Sequence, residues 1–131
     1  MDDLEETTKS AFIICPVRGL TKEEKKFIED YVADLERKGY EVHWPPRDTN
    51  QDDAIGYNIC SQNRDGIKTK KEVHIYWNKS SEGSKFDFGM LFMALLYEAK
   101  KVVIMNPHDV KRTPHKSFEN VLLELAERYQ R

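Results

Sequence analysis

No apolar run in this 131-residue chain approaches the roughly 20 residues that a membrane-crossing helix needs, so a membrane partner is not expected. Nor does one sign of charge prevail: 21 Lys plus Arg stand against 23 Asp plus Glu, for a formal net charge of −2. That balance is wrong for an affinity built on neutralising a phosphate backbone, and nucleic acid is not expected as a partner either. Cysteine is scarce. Cys15 and Cys60 each sit inside an apolar pattern with no second Cys or His at metal-ligand spacing, and read as reduced, buried thiols. His43, His74, His108 and His115 also lack ligand partners at short spacing, so no metal is expected, and the function expected below calls for no organic cofactor. The opening Met1-Asp2-Asp3-Leu4-Glu5-Glu6 is acidic where a secretion signal is basic and then apolar, which points to the cytoplasm.

What is present is an alternation of strand-like and helix-like segments without internal repeats. Ala11-Phe12-Ile13-Ile14-Cys15, ended by Pro16, is a continuous apolar run of the kind buried on both faces of a sheet. Thr21, three residues before Glu24, starts a capping box, and Phe27, Ile28, Tyr31, Val32 and Leu35 recur at helical intervals, predicting a helix from about Lys22 to Lys38. Tyr40 to Trp44 is a second strand, with Pro45-Pro46 after it as a stiff extended loop. Ile55, Ile59 and Ile67 predict a helix from Asp52 to about Lys70, loosened at Gly56 and Gly66. Glu72 to Trp77 is a third strand and Asn78 to Gly83 a loop. Phe86 to Ala99 is nearly all apolar, predicting a central helix packed on several sides. Lys101 to Met105 is a fourth strand, and Phe118, Val121, Leu122, Leu125 and Tyr129 mark a last amphipathic helix.

Strands alternating with helices imply right-handed parallel crossovers: an α/β fold with a three-layer open parallel sheet of the flavodoxin or Rossmann kind, ligands binding outside the carboxyl ends of the strands. The whole chain reads as one domain, with residues 1–10 as a flexible lead-in. The loops to watch are Pro16 to Leu20, Pro45 to Gln51 and Asn78 to Asp87. In the third, Gly83-Ser84 precedes the apolar helix and offers free backbone N–H groups to an anion. Asp87 has two readings: it completes a capping box with Ser84 as N-cap, or its carboxylate, in a helix otherwise apolar all round, points to the cleft. Arg18-Gly19 is either a phosphate-binding pair or a surface turn. Asp65 on its own reads as a solvated helix residue, and Trp44 as a core aromatic or a base-stacking one.

Gly83-Ser84-Lys85-Phe86-Asp87-Phe88-Gly89 resembles the helix-opening motif of the nucleoside 2-deoxyribosyltransferase family. Other landmarks follow in the same order from Ala11 to Met105: Ile13-Ile14-Cys15-Pro16, Gly39-Tyr40-Glu41-Val42 with Pro45, and Arg64-Asp65-Gly66-Ile67. The resemblance implies that Asp87 takes the place of the family's nucleophilic Glu, which attacks the anomeric carbon, and that Asp65 contacts the leaving base. Arg18-Gly19 is similar to the pair that grips the 5′-phosphate in related deoxynucleotide N-glycosidases. In that likeness Arg18, Gly19 and Ser84 hold phosphate, while Trp44 or Pro45 flanks the base. Pro16 matches the turn after the first strand, and Ser81 stands where the motif has Asp. Phe12 occupies a position where transferases often have Tyr, and Glu72 one where the family usually has Asp. The family also implies a homo-oligomer whose neighbouring subunit helps to close the site.

The expected function is cleavage or transfer of the N-glycosidic bond of a nucleoside or nucleoside 5′-monophosphate through a carboxylate. The alternative, from the shorter Asp87 and the missing carboxylate at Ser81, is a nucleotide-binding or sensing domain without turnover.

Overall fold

Four parallel strands and the helices between them organise residues 9–131, the part of the chain described by the structure, a computed structural model. In chain order they are β1 (Lys9–Ile14), α1 (Lys22–Arg37), β2 (Tyr40–His43), α2 (Pro45–Asp48), α3 (Tyr57–Thr69), β3 (Glu72–Ile75), α4 (Glu82–Tyr97), β4 (Lys101–Ile104) and α5 (Phe118–Arg128). A 3-10 turn, Pro107–Asp109, lies between the last two. The sheet order is β2-β1-β3-β4 with every pair parallel, the α/β architecture that the alternation implies.

β1 is central, which explains its unbroken apolar run. Ala11 and Ile13 pack on one face with Ile28 and Val32 of α1. Phe12 and Ile14 pack on the other with Ile67 of α3, Phe88 and Leu91 of α4, and Leu122 of α5. From β1 the chain runs to the edge at β2 and then returns past β1 to β3. That reversal opens the crevice at the carboxyl ends of β1 and β3 where this class of sheet binds ligands. At the opposite end of α3, Lys100 is buried, and its ammonium donates to the Lys68 and Lys70 carbonyls and to Glu98.

Several boundaries differ from the expectation, each for a local reason. Residues 1–8 of the expected lead-in lie outside the described residues, but Lys9 and Ser10 already belong to β1; the buried Ser10 hydroxyl accepts from the Lys71 amide at 2.9 Å. Pro45-Pro46 forms the single turn of α2 instead of an extended loop, because proline is tolerated in a first helical turn, where its missing N–H has no partner to lose. α3 starts at Tyr57, since Gly56 is left-handed (φ 92°) and Ile55 is 90% exposed outside the helix. Gly66 tightens α3 rather than loosening it: a Cβ there would lie 2.7 Å from the Phe12 ring, so the missing side chain lets the helix close onto β1. α4 starts at Glu82, with Ser81 as N-cap accepting from the Ser84 amide. Finally, α4 is not packed all round, because Phe86, Phe92, Met93, Leu96 and Tyr97 are exposed along one arc.

Candidate active site

Because Ser81 caps α4, Asp87 lies in the second turn, beyond the reach of a capping box, and the helix-cap reading of Asp87 falls away. Its side chain is on the inward arc, only 7% exposed. Its one hydrogen-bond partner among the described residues is the Asn63 amide of α3, whose Nδ2 donates to Oδ2 at a long 3.5 Å. Burial pushes the carboxyl up from 3.8 to about 7, and the Asn63 amide holds it back only in part. A carboxyl poised near neutrality can give or take a proton, or attack as the ionised form, within the physiological range.

The two thiols flank this carboxyl. Burial, slightly offset by the Trp44 indole and reinforced by Asp87, pushes Cys15 up to about 12. Burial and then Asp87 also raise Cys60. Both are therefore neutral at pH 7 and poor nucleophiles, which leaves Asp87 as the group with usable acid–base chemistry.

Asn63 is itself held from behind. The Thr49 hydroxyl donates to Asn63 Oδ1 at 2.8 Å, and His43 Nε2 lies 2.7 Å from Thr49 Oγ1. Thr49 and Asn63 are both buried, whereas Asp65 is exposed and pairs with Arg64. The carboxyl group that the resemblance sets beside the leaving base is thus on the side of α3 away from Asn63 and Asp87. At about 100° per residue, positions 63 and 65 face nearly opposite ways. The inward phase was legible: Asn63 is one helical turn before Ile67 and Cys60 one turn before Asn63. The Thr49 link joins separate elements and had no local signal.

Pro16, Arg18, Gly19 and Trp44 do come together. With Lys25, Leu20, Cys15 and Pro46 they line a cavity of about 200 Å³ between the ends of β1 and β2 and the start of α1. Arg18 and Lys25 give it two cations, suited to an anion. Gly19 is left-handed (φ 82°), a conformation that favours glycine whether or not a ligand is bound. The Trp44 indole N–H is buried without an oxygen or nitrogen acceptor, beside the weakly accepting Cys15 sulfur. Pro45 is buried and not part of the lining; Pro46 takes its place.

The third loop departs further from the expectation. Ser84 is 1% exposed, its hydroxyl oxygen accepts from the Ser81 hydroxyl, and Ser81 Oγ accepts from the Ser84 amide, so the two serines are engaged with each other at the start of α4. Gly83 is exposed in open space, where a Cβ would meet nothing. Cys15 lines the cavity and is also within reach of the Asp87 charge. A second cavity of about 490 Å³, beyond the ends of β3 and β4, is lined by Tyr76, Trp77, Lys79, Lys111, Asp109 and Glu119 among others. Among the described residues no three His, Cys, Asp or Glu side chains gather as a metal cage, and no helix is long and apolar enough to cross a membrane.

No protein-family model matches the chain, and no curated protein sequence matches it. Its three-dimensional fold does have a counterpart in the CMP N-glycosidase BcmB of Clostridium botulinum. The two are 19% identical with a TM-score of 0.56, over 90% of this chain and 83% of that one. The fold is of the nucleoside deoxyribosyltransferase-like kind.

Proposed function

We propose that this protein cleaves the N-glycosidic bond of a nucleoside or nucleoside 5′-monophosphate, with Asp87 as nucleophile or as stabiliser of the oxocarbenium ion. The observation that carries this reading is the buried Asp87 carboxyl, raised to about 7 and loosely tethered, at the binding end of a parallel sheet. The cationic cavity beside it supports a phosphate-bearing substrate, with Arg18 and Lys25 as its anchors. The counterpart fold, in a protein named for cleaving CMP, supports the same bond type. In the reaction the C–N bond breaks with its electron pair leaving on the base while Asp87 bonds to, or stabilises the charge on, the anomeric carbon; water then attacks that carbon, its hydroxyl staying on the sugar as any bond to Asp87 breaks, and its proton supplies the one that the base takes up. Asp65 has no part in it.

The test is free-base release from a panel of ribo- and deoxyribonucleosides and their 5′-monophosphates. Release that Asp87→Asn abolishes is the expected outcome, and turnover that survives the substitution overturns the assignment. Because the attacking form is ionised, kcat/KM falls as pH drops through about 7. A second reading, a nucleotide sensor without turnover, is favoured by one observation: Asp87 is not part of the cavity lining that contains Arg18. Binding by calorimetry with no base released from any substrate selects it.

The same reading includes a homo-oligomer formed through α4. Phe86, Phe92, Met93, Leu96 and Tyr97 are 57 to 80% exposed on one arc of a helix whose opposite arc carries Asp87. Together these side chains expose on the order of 500 Å² of apolar surface, well placed for a standard interface of about 800 Å² per partner. Leu96→Glu is expected to convert the assembly to monomer in light scattering; an unchanged mass removes α4 as the interface.

A further inference from the structure

The hydrogen bonds behind Asp87 form one continuous line from β2 to α4: His43, Thr49, Asn63, Asp87. We infer that Asn63 is the positioning residue of Asp87, held in a single amide orientation by Thr49 and, behind it, by His43. This deepens the proposed function and rests on it for the role of Asp87, but not for its geometry.

The Thr49 hydroxyl has one hydrogen, which goes to Asn63 Oδ1 at 2.8 Å. Its oxygen must then accept from His43 Nε2, 2.7 Å away, and that choice fixes the Nε2–H form of the ring. With Oδ1 taken, the atom Asn63 turns toward Asp87 is Nδ2, a donor. Every bond in the line thus points its hydrogen toward Asp87, the direction that favours a carboxylate over a carboxylic acid. A line running the other way would present Asn63 Oδ1 to Asp87 and tolerate only its protonated form. The two short bonds are the fixed part, and the 3.5 Å contact is the adjustable one, free to tighten when substrate closes on the site.

The surroundings leave this task to Asn63. The titratable groups facing Asp87 are the thiols of Cys15 on β1's carboxyl end and Cys60 on α3, both neutral near pH 7. Burial lowers His43 most, against Asp48 of α2 and with the help of Lys70 after α3 and Arg47 of α2, and so favours the neutral ring. Phe12 stacks on His43 with ring centroids 5.0 Å apart, and Gly66 admits both rings, so the anchor of the line is set by packing rather than by charge.

The experiment follows the Asp87 carboxyl by carbon-13 NMR across pH in the full chain, with no substrate, in the wild type, Thr49→Val, Thr49→Ser and Asn63→Leu. Thr49→Val keeps the shape and removes the hydroxyl, so the amide loses its fixed orientation and the Asp87 midpoint moves up by about half a unit or more. Asn63→Leu moves it the same way, and Thr49→Ser restores the wild-type midpoint. In base release, Thr49→Val lowers kcat by about tenfold with KM unchanged, the mark of a misplaced reacting group. A midpoint in Thr49→Val or Asn63→Leu equal to the wild type overturns the inference. If the midpoints shift as stated while the wild type releases no base, the positioning stands and the enzymatic reading falls.

Discussion

Two buried lines of polar side chains flank the sheet, one at each end of the strands, and they are finished differently. At the amino ends, Tyr31 Oη meets His74 Nδ1 at 2.5 Å, His74 Nε2 meets Glu72 Oε1 at 2.9 Å, and Tyr40 donates to Glu72 Oε2 at 3.0 Å. Burial keeps His74 neutral and pushes Tyr31 up to about 12, so each hydrogen has one owner and one destination. At the carboxyl ends the line from His43 begins with equally short bonds but stops at 3.5 Å from Asp87. In the first line every hydrogen and both carboxylate oxygens of Glu72 are engaged. The second leaves a nearly dry carboxyl with spare acceptor capacity, which is tolerable for stability only if something else uses it.

The two lines also predict opposite responses to pH. Folding raises the Asp87 carboxyl from 3.8 to about 7, so the native state keeps a proton that the unfolded chain releases. Wild-type stability therefore falls as pH rises from about 4 to about 7, by roughly 4 kcal/mol at most, and Asp87→Asn lacks that fall. Denaturant melts of the two proteins between pH 4 and 8 measure it, and parallel curves would show that Asp87 is not held dry. His74 has the reverse sign: its folded value lies below 6.5, so the unfolded chain binds the extra proton and stability falls as pH drops below about 6.5. His74→Phe strands Glu72 and Tyr31 and is expected to cost about 3 kcal/mol while erasing that acid limb. Base release per folded molecule is unchanged, and a loss there would break the contrast between the two ends.

A smaller perturbation sharpens the same contrast. Gly66→Ala forces a methyl against the Phe12 ring at 2.7 Å and near His43 Nδ1 at 3.1 Å, and should cost about 1 to 3 kcal/mol. Since His43 anchors only one of the lines, its imidazole resonances should move while those of His74 stay. Equal movement of both would mean that the two ends are mechanically coupled.

The fold was legible in the sequence because its signals are local. A strand buried on both faces must read as an apolar run, and the Thr21 to Glu24 capping box is present as spaced, with both bonds made. Asp87 drew attention because it is the one acid between Phe86 and Tyr97, in the apolar part of α4. Asn63 is harder to read than Asp65, because the two residues of helical phase between them put the amide inside and the acid outside, and an acid draws attention that an amide does not. The start of α4 was misplaced by the choice between two serines, Ser81 and Ser84, either of which could cap a helix; only the tertiary burial of Ser84 decides between them. Thr49 was out of reach, since its importance arises only when α3 folds back across the loop that carries it.

Lys100 gives the molecule a built-in reporter. Its three ammonium hydrogens face the Lys68 and Lys70 carbonyls and Glu98, with the residue only 2% exposed, so an amine-acylating reagent reaches it only after the carboxyl end of α3 has frayed. Among lysines that are otherwise at the surface, such as Lys26 and Lys38, it should be modified last. The rate at which it is modified is then a clock for the opening of the helix that carries Asn63.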